Sequence, residues 1–144
     1  MWILSAFAFA ALFSDQLSKF LAVLYLKPKG SIPVLSDVFH LSYVENAGIA
    51  FGLFRNHAEA LNVIIGLCVA GLLVCSFYFK SQSVLKRAAY GFILGGAIGN
   101  WIDRVRLNCV IDFLDFRVWP VFNFADSFIT IGVAMFILFS IREE

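Results

Sequence analysis

Histidine and cysteine are scarce in this chain of 144 residues, and their placement excludes two chemistries. The histidines, His40 and His57, stand 17 positions apart with no HExxH pattern, so metal-assisted hydrolysis finds no ligand set. Of the three cysteines, Cys68 and Cys75 are seven apart on one face of an apolar helix and Cys109 stands alone; neither a disulfide framework nor a metal knuckle follows. Charge is sparse too, 15% of residues, and a net +1 points to no nucleic-acid partner. No repeat, low-complexity tract or linker divides the chain, so residues 1–144 are expected to form one domain.

What is abundant is apolar: 61% of residues are hydrophobic, 17% are aromatic, and the mean hydropathy is +0.87. A soluble domain of this size would not carry so much, so the expected class is an all-α integral membrane protein. Apolar runs at Trp2 to Leu26, Ala58 to Phe79, Ala88 to Ile102 and Phe122 to Ile141 are each near the roughly 20 residues that cross about 30 Å of hydrocarbon as a helix. Four membrane spans are therefore expected, the third the shortest and rich in glycine. The first run has no basic n-region and contains Asp15 and Lys19, so it is expected to be a retained helix rather than a cleaved signal.

Four spans place the two long connections, about Lys27 to His57 and Asp103 to Val121, on one face, with the short link and both termini on the other. The short link concentrates Lys80, Lys86 and Arg87, which assigns it and the termini to the cytoplasm. Lys27, Lys29, Arg55, Arg104, Arg106 and Arg117 on the opposite side are spread over longer segments. Trp2, Trp101 and Trp119 fall near the predicted boundaries, as interfacial anchors do. Ile32 to Val44, rich in Val, Phe, Tyr and Leu, reads as short strands of a small sheet on the bilayer surface. Val110 to Phe116 repeats acidic and aromatic residues three apart and fits either a strand or an interfacial helix.

Polar residues inside apolar spans are costly and mark function. Gly91, Gly95 and Gly99 form a small-residue stripe for helix packing. Beyond it Asn100, Asp103 and Arg104 leave the third span close together. On the fourth span Pro120 suits a helix start, and Asn123, Asp126, Ser127 and Thr130 share one face, with Asp126 a turn or two inside the boundary. A carboxylate there, with a second one nearby, makes a pair that shares one proton. One member takes a proton from water and the other polarises a scissile carbonyl. Asp112 is the natural partner of Asp126, and Asp115 rivals it on geometry alone. Asp15 and Lys19, four apart on the first helix, neutralise each other in a supporting role. Ser18 and Lys19 point about 100° apart and make a poor Ser/Lys hydrolase pair. A proton- or solute-conducting bundle is the rival class, but its acids should be distributed in depth, whereas most of these gather on one side.

These segments resemble the lipoprotein signal peptidases, the type II signal peptidases. Asp15 to Lys19 (DQLSK) matches the family's first-helix motif and Asn46 to Gly52 (NAGIAFG) its NxGxAFG segment. Gly95 to Arg104 matches GGAxGNxxDR, Val110 to Phe113 matches VxDF, and Phe122 to Asp126 matches FNxAD. The resemblance implies a four-transmembrane-helix bundle with a small extracytoplasmic β-cradle and a short interfacial element between helices 3 and 4. It further implies cleavage of the signal peptide just before the lipid-modified cysteine of a diacylglyceryl-prolipoprotein, with Asp112 and Asp126 as the catalytic dyad. Asn46, Gly48, Asn100, Asp103, Arg104 and Asn123 would line or support the site, and Asp15 and Lys19 would brace it. Water is then the nucleophile, with no cofactor and no metal. The expected partners are the substrate and membrane lipids, the expected state a monomer, and the expected location the bacterial cytoplasmic membrane, with the site near the outer leaflet. The segment from Asp115 to Pro120 is short for the family, which bears on the element covering the site.

Overall fold

A computed structural model describes residues 1–48 and 58–141. Ile49 to Gly52 of the NAGIAFG segment, with Arg55 and His57, and Arg142 at the other end lie outside the described residues. Four helices dominate: α1 (Trp2–Tyr25), α2 (Ala58–Cys75), α3 (Val84–Leu107) and α4 (Phe124–Ile141). Three strands, β1 (Ser31–Leu35), β2 (Phe39–Asn46) and β3 (Val110–Asp115), form one antiparallel sheet in the order β1-β2-β3.

The helices are arranged with polarity inside and hydrocarbon outside. Along α1 the inward stripe is Leu4, Ala11, Asp15, Lys19 and Ala22, while Phe9, Phe13, Phe20 and Leu24 are exposed. The same holds for Val63, Leu67 and Val74 on α2 and for Ile137 and Leu138 on α4. Water would not tolerate so continuous an apolar exterior around a charged interior. Among the described residues two helices, α1 and α4, are long and apolar enough to cross a membrane, and α2 offers a shorter apolar stretch over Glu59–Cys75. The third segment, expected to be the shortest, is a 24-residue helix. Lys86, Arg87, Asn100, Asp103 and Arg104 lower its hydropathy without ending it. Its ends are set instead by Ser83, whose side chain accepts from the Lys86 N–H, and by Asn108 in the left-handed conformation at φ 55°.

The small-residue stripe makes α3 the spine. A Cβ at Gly91 would stand 2.7 Å from the Leu4 carbonyl oxygen, and one at Gly95 would collide with the Ala8 carbonyl, so this side of α3 lies directly on the α1 backbone. Gly96 does the same for α4, with Ala125 O at 2.5 Å from a Cβ built there. Trp101, expected as an interfacial anchor, is turned onto α2 and faces Gly66 at 3.1 Å from its would-be Cβ.

The 110–116 segment, open between strand and interfacial helix, is strand β3, and it joins the sheet rather than forming a separate interfacial element. Val44 pairs with Asp112 and Asn46 with Val110, and an extra residue between Leu41 and Val44 bulges β2. Because β2 belongs to the first long connection and β3 to the second, this pairing brings both to one end of the bundle, as the connectivity predicts. Ile111 and Phe113 seat the sheet on Ala22 of α1 and Leu26 just after it. Phe122, between β3 and α4, bridges to Leu114.

The close approach at α3 is testable. Gly95→Ala should lower stability by about 1–3 kcal/mol through overpacking against α1. Gly71→Ala, where a Cβ meets nothing within 4 Å, should leave stability unchanged or slightly raised. Thermal unfolding in detergent measures both, and equal losses would refute the packing argument.

Candidate active site

The start of α4 determines where Asp126 sits. Asn123 caps the helix: its Oδ1 accepts from the Asp126 N–H at 3.0 Å, and Asp126 Oδ2 accepts in return from the Asn123 N–H at 3.3 Å. Helical structure therefore begins after Asn123 and not at Pro120, and Asp126 lies in the first turn of α4. The positive end of the α4 dipole lies beneath its carboxylate. Ser127 and Thr130 follow, each donating to a carbonyl one turn back, Asn123 O and Asp126 O.

Strand β3 brings the second carboxylate to the same place. Asp112 is 3% exposed, and its two oxygens accept from different elements: Oδ1 from Asn123 Nδ2 at 2.6 Å and Oδ2 from Asn46 Nδ2 at 3.0 Å. Asp126 Oδ1 accepts from Asn100 Nδ2 at 2.7 Å. Asn123 thus touches both acids, one through its side chain and one through its backbone. Both acids line a cavity of about 450 Å³, together with Asn46, Asn100, Arg104 and Trp119. A second hollow of about 400 Å³ continues from Trp119, Phe122 and Asp126 along Ser127, Thr130 and Ile131 of α4.

Asp115 is placed differently. Three residues along a strand reverse the side-chain direction, and Asp115 accepts from Ser42 Oγ at 2.8 Å, from the Arg117 N–H at 2.9 Å and from Arg117 Nη1 at 3.3 Å. Burial works to raise its carboxyl, but Ser42 and Arg117 together hold it below the usual carboxylate range. Asp112 goes the other way. Burial lifts it to about 6, the Asn46 and Asn123 amides pull against that, and the Asp126 charge adds to it.

Beneath the two acids lies a buried ion cluster. Lys19 Nζ is 2.8 Å from Asp15 Oδ2, 2.8 Å from Asp103 Oδ2 and 2.9 Å from Asn100 Oδ1. The i, i+4 pair expected on α1 is therefore one half of a triad, and Asp103 pairs with Lys19. Arg104 instead donates to two carbonyls, Asn100 O at 3.3 Å and Gly48 O at 3.1 Å, which ties the strand carrying Asn46 to α3. Asp15 Oδ1 accepts from the Ala125 N–H at 2.9 Å, and Gly99 leaves the space its carboxylate occupies. Gln16, quoted within the first-helix motif but given no role by the sequence reading, donates to Asp15, Gly99 O and Asp103 within 3.1–3.2 Å. Its signal was an amide in an otherwise apolar helix, next to a charge. Trp119, read as an anchor, lines the cavity and is 66% exposed.

All ten residues singled out in the sequence, Asp15, Lys19, Asn46, Gly48, Asn100, Asp103, Arg104, Asp112, Asn123 and Asp126, thus fall in one connected network. The family model described as Signal peptidase (SPase) II matches residues 7–142. The lipoprotein signal peptidase of Halothermothrix orenii is 44% identical over 131 residues, 90% of this chain and 89% of that protein. The lipoprotein signal peptidase of Caldanaerobacter subterraneus subsp. tengcongensis is 49% identical over 121 residues, 83% of each. A bacterial membrane enzyme solved by the in meso method at 1.9 Å resolution shares the fold with a TM-score of 0.80 at 27% identity, covering 96% of this chain and 92% of that one. With its sequence matched almost from end to end and its fold shared with a membrane enzyme, the chain belongs to the signal peptidase II family, that of the lipoprotein signal peptidases.

Proposed function

We propose that this protein is an intramembrane aspartic endopeptidase that removes the signal peptide from diacylglyceryl-modified prolipoproteins, cutting just before the lipid-modified cysteine. The observation that carries this reading is the meeting of Asp112 and Asp126 on one cavity, linked through Asn123, in a chain of this family. In the proposed step one ionised carboxylate takes a proton from water while the other, protonated, donates to the scissile carbonyl oxygen as the tetrahedral carbon forms. Burial and the neighbouring charge of Asp126 make Asp112 the readier holder of the shared proton. Asp126, at the positive end of α4, then serves as the base. Return of a proton to the departing amine completes hydrolysis, with no covalent enzyme intermediate and no need for a cofactor or metal.

The membrane arrangement follows the same reading. All four helices cross the bacterial cytoplasmic membrane, and the apolar exterior of the bundle supports this. The sheet and the two long connections lie on the outer side, with both termini inside. A signal peptide enters with its basic end inside and its cleavage site outside, and its diacylglyceryl group holds that site at the outer leaflet, the depth of the two acids. One chain supplies every residue the mechanism uses, so a monomer suffices.

Cleavage of a diacylglyceryl prolipoprotein in detergent or lipid tests the reaction. Asp112→Asn and Asp126→Asn should each lower the rate by at least about a thousandfold, with folding retained, whereas Asp115→Asn should retain cleavage because its partners are Ser42 and Arg117. Full activity in either of the first two would end this mechanism. The pH profile is a separate check. A carboxyl lifted to about 6 keeps its proton below that pH and loses it above, so kcat/KM should fall as pH rises through about 6. A profile flat from pH 5 to 8 would remove Asp112 as the proton holder.

A further inference from the structure

An asparagine amide can turn over and exchange its donor end for its acceptor end at little cost in shape. Three asparagines face the paired carboxylates, and each is useful there only if its NH2 end points inward. In all three the oxygen is held by a group that can donate but not accept. Asn46 Oδ1 accepts from the Gly48 N–H at 3.1 Å, and its Nδ2 then meets Asp112. Asn123 Oδ1 accepts from the Asp126 N–H at 3.0 Å, and its Nδ2 meets Asp112 as well. Those two pins are backbone, and no side-chain substitution removes them.

The third pin is different in kind. Asn100 Oδ1 accepts from Lys19 Nζ at 2.9 Å, which turns Asn100 Nδ2 onto Asp126 at 2.7 Å. An ammonium carries three protons and no acceptor, and Asp15 and Asp103 each take one at 2.8 Å. The two carboxylates thus aim the remaining proton at Asn100. Lys19 is 2% exposed and does not line the cavity, so it is out of reach of substrate. Asn123 Nδ2 also donates to Asn100 Oδ1, at 3.1 Å, as a neutral and longer second pin.

We infer that Lys19 is a positioning residue whose third ammonium proton fixes the Asn100 amide with its NH2 toward Asp126, so that α1 controls the acid on α4 without touching it. The inference rests on the dyad reading proposed above. Without Lys19 the charged pin is lost, and an Asn100 amide turned over would set its oxygen against the Asp126 carboxylate, leaving the base misheld in the transition state while substrate binding is intact.

The test uses the full chain in lipid and the same prolipoprotein cleavage, with thermal unfolding to confirm folding. Lys19→Met is made together with Asp103→Asn, which keeps the formal charge of the cluster at that of Asp15 alone. The double variant should lose about 10- to 100-fold in kcat, with KM within about twofold. Asn100→Leu should lose kcat to at least that extent, and adding it to the double variant should cause no further loss, because the amide being aimed is gone. Losses that multiply, or a fall expressed in KM, would overturn the inference and leave Lys19 with a structural role. If the double variant does not fold, Asn100→Leu decides alone: full kcat in that variant overturns the inference. Failure of the dyad reading looks different: then Asp112→Asn or Asp126→Asn keeps full activity, or the wild-type chain itself does not cleave the prolipoprotein.

Discussion

The buried contact of Lys19 with Asp15 and Asp103 is the constraint on which the rest of the structure depends. Burying three charges is expensive, and their mutual attraction offsets the cost only when the remaining lone pairs are satisfied. Here each satisfaction recruits another element. Asp15 takes the Ala125 N–H, one of the unpaired donors of the first turn of α4, and Asp103 takes the Ile111 N–H of β3. Gln16 of α1 donates to Asp103 Oδ1 and shares Asp15 Oδ2 with Lys19. Four elements that are distant in sequence are thereby fixed to one ammonium. Removing one partner of such a cluster typically costs about 3–5 kcal/mol, because it leaves an uncompensated charge in a dry interior.

That cluster also explains why α3 is built as it is. Its glycines let α1 and α4 approach so closely that the Asp15 side chain of α1 reaches the Ala125 N–H of α4. Gly99 serves a second purpose besides packing: its missing Cβ is the space in which the Asp15 carboxylate sits. A helix rich in glycine gives up about 1 kcal/mol of propensity at each one relative to alanine. In this chain the loss is offset by backbone-level contact on two sides and by an ion cluster that a bulkier helix would hold apart.

Much of this was legible because it is local. The first and fourth apolar runs, Trp2 to Leu26 and Phe122 to Ile141, coincide with α1 and α4 to within a few residues. The stacking of Asn100, Asp103 and Arg104 follows from helical spacing alone. What was not legible depends on partners far along the chain. The 110–116 segment has no decisive period, and it becomes a strand because β2 is available to pair with it. The same strand geometry separates Asp112 from Asp115, a choice that residue spacing left open and only motif register favoured. Hydropathy ended the third segment at Ile102 because it counts Asp103 and Arg104 as exposed to lipid, when they are buried in the bundle. The cation that Asp103 meets was not legible either, because it is Lys19 of another helix and not the adjacent Arg104.

The two acids differ before any substrate arrives, and the difference comes from secondary structure rather than from their immediate neighbours alone. Asp126 stands at the positive end of a helix, in a reciprocal cap with Asn123, so the turn that begins α4 also aims it. Asp112 stands on a strand, which offers no such dipole, and is held by two neutral amides in a site only 3% exposed. A pair of equal carboxylates would leave the shared proton undecided between them. In the proposed mechanism, setting one on a helix start and the other on a buried strand would divide acid from base by architecture, and Asn123, which contacts both, would join that division to the folding of α4 itself.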